Sequence, residues 1–189
     1  AGKGEVRGPS ERERAEAWWS FLAQLRLAPD ALRVSEAGRY LTTIGDDVDY
    51  IPGDGLCTLC FVAAEMGHAG VVELLLAHGA DLNKARTNTG GTPCYTAAAN
   101  GHAGVVELLL ARGADPNKAR TDTGYTPCFV AAYKGHLGVV ELLLARGADP
   151  NKATTDDGAT PCYFAAHEGH VCVVELLLAR GADPNKART

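Results

Sequence analysis

The tetrapeptide Thr92-Pro93-Cys94-Tyr95 returns as Thr126-Pro127-Cys128-Phe129 and Thr160-Pro161-Cys162-Tyr163. Each copy is followed by Gly-His, Val-Val-Glu-Leu-Leu-Leu and Gly-Ala-Asp, at a fixed spacing of 34 residues. A unit this short cannot bury its own apolar face. Copies must stack on one another, so the periodicity predicts an elongated solenoid whose product is a surface, with no enclosed pocket.

Within one unit, Thr92 suits a helix N-cap and Pro93 the first helical position, where a missing N–H costs nothing. This first helix, helix A, carries the small Ala97 and Ala98 and stops at Gly101. Helix B follows at once. Its Val105, Val106, Leu108, Leu109 and Leu110 make it apolar on more than one side, and Gly113 ends it. The turn-rich stretch from Ala114 to Gly124 then predicts a protruding loop or hairpin, here called a finger.

Tetratricopeptide repeats share the period, but their Trp, Leu-Gly and Tyr positions are absent here. The pattern Thr-Pro-x-x-x-Ala-Ala-x-x-Gly-His-x-x-Val-Val-Glu-Leu-Leu-Leu-x-x-Gly-Ala-Asp-x-Asn, from Thr92 to Asn117, resembles the ankyrin repeat. Four copies span residues 58–189, with Leu59 replacing proline in the first. The resemblance implies an all-α solenoid with fingers, a structural role for His68, His102, His136 and His170 at the turn between helices A and B, and partner contacts on a concave face. It also raises asparagine hydroxylation at Asn83, Asn117, Asn151 and Asn185, against which Pro116, Pro150 and Pro184 speak. Two departures stand out. Phe61, Tyr95, Phe129 and Tyr163 occupy the position of the family's usual His, so aromatic stacking is expected to replace its hydrogen bond. Each unit is also one residue longer than usual, most simply in the Lys118–Thr123 loop.

The boundaries follow. Residues 1–9 read as a loose tail, 10–49 as an N-terminal helical cap formed from a degenerate repeat, and 50–189 as four repeats, about 50–87, 88–121, 122–155 and 156–189. In the cap, Ser10 and Glu13 have capping-box spacing, Trp18, Phe21, Leu22 and Leu25 form one stripe, and Asp30 can start a second helix. Gly45-Asp46-Asp47-Val48-Asp49 falls opposite Gly79-Ala80-Asp81-Leu82-Asn83. The C-terminal Val173, Val174, Leu176, Leu177 and Leu178 keep the interior pattern without polar substitution, which implies an end covered by further repeats or by another subunit.

Net charge is −5, split as −2 over residues 1–50 and −3 over the rest, so no segment carries the positive footprint of a nucleic-acid binder. No apolar run approaches the roughly 20 residues that span a bilayer. The sequence begins at Ala1 without an initiator Met and reads as a processed form or a piece of something longer. Cys60, Cys94, Cys128 and Cys162 share one repeat position, about 8–10 Å apart if helices pack normally, beyond disulfide reach. Buried thiols of this kind suit a soluble protein of a reducing intracellular compartment.

Chemistry is not indicated. Cys57-x-x-Cys60 lacks the second ligand pair of a structural zinc site, and the repeated His rings are spaced too widely for one ion. There is no phosphate loop or nucleophile, so no catalytic, cofactor or metal residue is expected. Glu73, Glu107, Glu141 and Glu175 read as one solvated edge. Lys84, Arg86, Lys118, Arg120, Lys152, Lys186 and Arg188 read as a mixed-charge, solvated row beside Asp81, Asp115, Asp149 and Asp183.

Positions that vary between copies mark the binding surface, since scaffold positions must suit every repeat. These are Glu65/Ala99/Tyr133/His167, Met66/Asn100/Lys134/Glu168, Val62/Thr96/Val130/Phe164 and Cys57/Gly91/Tyr125/Ala159. Aromatic anchors dominate interfaces. Tyr125, Tyr133, Phe164 and His167, flanked by Lys134 and Glu168, are therefore the predicted protein-binding site, with Asn100, Met66 and the helix residue Trp19 as further candidates. The function expected is a non-catalytic scaffold or adaptor for a protein partner. The alternative is the recognition segment of a larger protein, or a subunit of a complex, whose activity lies elsewhere.

Overall fold

Each repeat opens on a threonine that caps as its position predicts. In the computed structural model, Thr58, Thr92, Thr126 and Thr160 accept hydrogen bonds through Oγ1 from the N–H three residues on, at 3.2, 3.2, 3.1 and 3.3 Å. The first copy starts its helix without proline, so the hydroxyl suffices. The structure describes residues 8–27, 30–44, 47–53 and 55–186. The tail through residue 7, Gly45, Asp46, Arg188 and the Arg26 side chain lie outside the described residues.

Ten helices follow one another among the described residues: α1 (Glu11–Leu27), α2 (Asp30–Ile44), α3 (Leu59–Glu65), α4 (Ala69–Ala77), α5 (Pro93–Ala99), α6 (Ala103–Ala111), α7 (Pro127–Tyr133), α8 (Leu137–Ala145), α9 (Pro161–His167) and α10 (Val171–Ala179). They form two layers. The A helices α3, α5, α7 and α9 stack side by side, as do the B helices α4, α6, α8 and α10. Helix α1 extends the first layer by packing on α3, and α2 extends the second by packing on α4. This is an all-helical solenoid.

The core is one cluster running the length of the stack. Leu75, Leu109, Leu143 and Leu177 are fully buried, and so are Ala97, Ala98, Ala131 and Ala132, whose small side chains let neighbouring A helices approach. At the N-terminal end, Trp18, Phe21, Leu22 and Leu25 are buried as the stripe predicts. The Ser10 N–H donates to Glu13 at 2.7 Å while the Glu13 N–H donates to Ser10 Oγ at 3.3 Å, a capping box.

The turn histidines tie repeats together. Nε2–H of His102, His136 and His170 donates to the carbonyls of Glu65, Ala99 and Tyr133 at 3.0, 3.2 and 3.1 Å, and His68 reaches the Leu25 carbonyl at 3.0 Å. The rings of His102, His136 and His170 lie on Gly67, Gly101 and Gly135, which end the preceding A helices. Gly101 has φ +74°, and a Cβ there would come within 2.9 Å of the His136 ring. Hence this position needs glycine for its backbone and again for its neighbour. Asn117 and Asn151 act similarly on the finger side. Their Oδ1 accepts from the Asp149 and Asp183 N–H at 2.8 Å, and their Nδ2 donates to the Gly147 and Gly181 carbonyls at 2.9 Å.

Candidate binding platform of the third and fourth repeats

The fingers are loops closed by hairpin-like hydrogen bonds. Arg120 N–H donates to the Tyr125 carbonyl at 2.9 Å, and Gly124 N–H returns to the Arg120 carbonyl at 3.0 Å. The same pair joins Arg86 to Gly91 and Gly90 to Arg86, each at 2.8 Å. Successive fingers are stapled by Thr87 to Leu56, Thr121 to Thr89 and Thr155 to Thr123, at 2.8, 3.1 and 3.3 Å. Each finger therefore fixes the next.

Two arginines correct the expectation of a solvated basic row. The Arg86 guanidinium lies 5.9 Å above the Phe61 ring and Arg120 lies 5.4 Å above Tyr95, both partly buried. Arg120 also grips Asp122, through Nε at 2.9 Å and a terminal nitrogen at 2.5 Å. The finger folds back over the aromatic that opens its repeat, and the ring withdraws the arginine from water. Cation–π contact thus replaces the expected aromatic stacking in the first two copies. In the third, where Thr154 stands at the arginine position, Tyr125 covers Phe129 with ring centroids 4.4 Å apart.

From there the rings run on without a break. Phe129 meets Phe164 at 5.4 Å, and Phe164 meets Tyr133 at 5.5 Å, Tyr163 at 5.4 Å and His167 at 6.1 Å. Most are edge-on, the geometry favoured by ring quadrupoles. Lys134 Nζ lies 5.1 Å above Tyr133, and His167 Nδ1 lies 2.8 Å from Glu168. Tyr125, Tyr133 and Phe164 are half-buried while His167, Lys134 and Glu168 are exposed. The patch is held in place from beneath and open above.

The six central residues predicted from the sequence are therefore brought together. Phe129 and Tyr163 belong with them. Both share the register of Tyr95, an aromatic in every copy, so comparison of copies does not single them out; for Phe129 the one signal is Thr154 at the position where Arg120 stands relative to Tyr95. Asn100 is the C-cap of α5, exposed, with its side chain donating to the Thr96 carbonyl at 2.9 Å. Met66 caps α3, half-buried against the core. Both continue the row of Lys134 and Glu168 away from the aromatics. Trp19 is 45% exposed, edge-on to Trp18 at 4.6 Å. It lines a shallow hollow of about 280 Å³ with Leu56, Phe61, Val62, Glu65 and Arg86, so it lies at the N-terminal end of the same finger-side face.

Two predicted rows are corrected in part. Val62, Thr96 and Val130 are buried, as are Gly91 and Ala159, so variation there tunes packing and exposes nothing. Phe164 alone of its row is partly exposed.

Burial pushes the Cys60, Cys94 and Cys128 thiols up to about 12, with nearby aspartates adding to the shift. No disulfide joins the described cysteines. Among the described residues, none packs on the outer side of α9 and α10. Tyr163 is 39% exposed where Tyr95 and Phe129 are 8% and 1%, and Leu178 is 42% exposed where Leu110 is 8%. These residues line a hollow of about 530 Å³ with Cys162, Ala166, Val174 and Pro184. Among the described residues, no helix is long and apolar enough to cross a membrane.

A family model described as ankyrin repeats (3 copies) matches residues 34–120 and 117–188. No match was found among curated proteins.

Proposed function

Because the chain belongs to the ankyrin-repeat family, whose members generally serve as protein–protein interaction modules, we propose that it is a non-catalytic scaffold or adaptor. A protein partner is held on the finger-side face of the third and fourth repeats. The observation that carries this reading is the continuous aromatic cluster of Tyr125, Phe129, Phe164, Tyr133, Tyr163 and His167, in which Tyr125, Phe164, Tyr133 and His167 stand at positions that differ from copy to copy. Rings already locked by neighbours lose little side-chain entropy on binding, and their faces offer area that water covers poorly.

The uncovered α9–α10 face supports a second contact, in which further repeats or another subunit of a complex complete the stack. The free, buried thiols support an intracellular, reducing setting. The test is a paired pull-down from the source cell with the native chain and its Tyr133→Ala/Phe164→Ala/His167→Ala variant, bound proteins being identified by mass spectrometry. A partner lost only from the folded variant is the expected result. Identical partners on both would move the site to the Trp19 hollow or to the open end.

A further inference from the structure

Two fingers carry the same arginine, and only one of them supplies its counter-charge. Arg120 lies over Tyr95 and is forked to Asp122, two residues on, through Nε and a terminal nitrogen. One repeat earlier, Arg86 lies over Phe61, but Asn88 stands in place of Asp122. Asn88 is exposed, and no hydrogen bond joins it to Arg86. Among the described residues no carboxylate pairs with Arg86, and its Nε is buried without a partner. A half-buried guanidinium in this state carries a desolvation cost that a carboxylate would offset.

The chain leaves room for one. Arg86 lines the hollow of about 280 Å³ at the N-terminal end of the finger-side face. Phe61 and Trp18, both buried, also line it, and the Trp18 Nε1–H has no partner either. Trp19 and Leu56 bring apolar surface to the same hollow while 45% and 40% exposed. A guanidinium lacking its acid and two exposed apolar side chains therefore face one space.

We propose that this hollow takes an acidic side chain of a protein partner, whose carboxylate forks onto Arg86 as Asp122 forks onto Arg120, while an adjacent bulky apolar residue packs on Trp19 and Leu56. This is a contact separate from the aromatic cluster of the third and fourth repeats and does not depend on it. The Phe61 ring occupies the face of the guanidinium and leaves its edge N–H groups to donate, so ring contact and bidentate pairing are compatible, as Arg120 shows. Apolar walls that exclude water strengthen such a pair. Glu65 is the one acid among the described residues that line the hollow; it is exposed and not paired with Arg86. Its charge opposes an incoming carboxylate, so Glu65→Gln should tighten binding.

The experiment selects peptides from a random 12-residue display library on the whole chain, discards those that also bind a Trp19→Ala/Leu56→Ala variant, and measures the best remaining binder by fluorescence anisotropy. Aspartate or glutamate at one position, beside a bulky apolar residue, is the expected enrichment. Replacing that acid by its amide should weaken binding about tenfold. Arg86→Gln should weaken the acidic peptide by the same factor and leave the amide peptide unchanged, so that the two changes together cost no more than one. Asn88→Asp should supply the carboxylate from within, leaving the thermal midpoint unchanged or higher while abolishing the preference for an acid. Because Asn88 is exposed, this variant still decides the matter if Arg86→Gln does not fold. Binding should survive Tyr133→Ala/Phe164→Ala. Its loss there would place the peptide on the aromatic cluster and overturn the hollow, as would failure to enrich any peptide sensitive to Trp19→Ala/Leu56→Ala. Binders without an acid preference, or costs of the peptide and Arg86 changes that add in full, would overturn the carboxylate assignment.

Discussion

The two ends of this stack differ: a long helix closes one, and the last repeat lies open at the other. At the N-terminal end, α1 runs 17 residues, more than twice the length of the A helices, and lays Trp18, Phe21, Leu22 and Leu25 on the first repeat. At the other end, α10 keeps the Val-Val-Glu-Leu-Leu-Leu run of the interior helices without a polar substitution, and Tyr163 and Leu178 lie open to solvent. The contrast shows that burial in a repeat array is not a property of the residue. Phe129 and Tyr163 occupy the same place in the same motif, yet a neighbour covers only the first. Stability at such a position is supplied across an interface between repeats.

The sharpest way to break that comparison is to delete the same ring twice. Phe129→Ala empties a fully buried site against α9 and should cost about 3–5 kcal/mol in urea unfolding. Tyr163→Ala removes a ring that is already partly hydrated and should cost under about 1.5 kcal/mol. Equal losses would mean that the last repeat is as well covered as the third.

A smaller effect separates the glycines that end the A helices. Gly101 and Gly169 have φ of +74° and +78°, so alanine at either position is strained by about 1 kcal/mol. A Cβ on Gly101 also strikes the His136 ring at 2.9 Å, whereas one on Gly169 meets nothing within 4 Å. Gly101→Ala should therefore cost about 2–3 kcal/mol, and Gly169→Ala no more than the backbone strain. If the two melt alike, the histidine staple contributes nothing.

How much of this was legible follows from the same contrast. The Thr-Pro start, the glycine stops and the apolar periodicity are local and recur in every copy, so helix positions could be read directly. That Tyr125, Tyr133, Lys134, Phe164, His167 and Glu168 stand apart from the scaffold could also be read, because comparing copies separates scaffold from variation. Contacts between copies could not. Nothing local says that Arg120 folds back 25 residues onto Tyr95, or that Val62, Thr96 and Val130 vary beneath the surface. A finger's path depends on the finger before it, through the Thr121 and Thr155 staples. Such information lies in pairs of repeats and is invisible in one.

The smallest effect lies at the N-terminal end, where the ladder of bridging asparagines begins with the wrong residue. Asp49 stands one repeat before Asn83 and two before Asn117. Its Oδ2 accepts from the Asp81 N–H at 2.9 Å, as Asn117 Oδ1 does from Asp149. Asn117 then donates its amide to the Gly147 carbonyl, but a carboxylate has nothing to donate, and Asp49 Oδ1 is buried without a partner. Burial holds the Asp49 carboxyl above its ordinary 3.8, with Asp81 and Asp47 adding to the shift while the Asp81 N–H and Lys84 oppose it. The folded chain therefore binds this proton more tightly than the unfolded one. The stability this provides is full below the unfolded pKa and is lost as pH rises through the folded one. Asp49→Asn restores the donor and removes the titration. It should stabilise the chain by about 1 kcal/mol at pH 7, with a gain that shrinks as pH falls toward 3.5, read as the difference between variant and native urea midpoints. A gain that stays constant with pH would show that the missing hydrogen bond, and not the buried charge, distinguishes this end from the repeats that follow it.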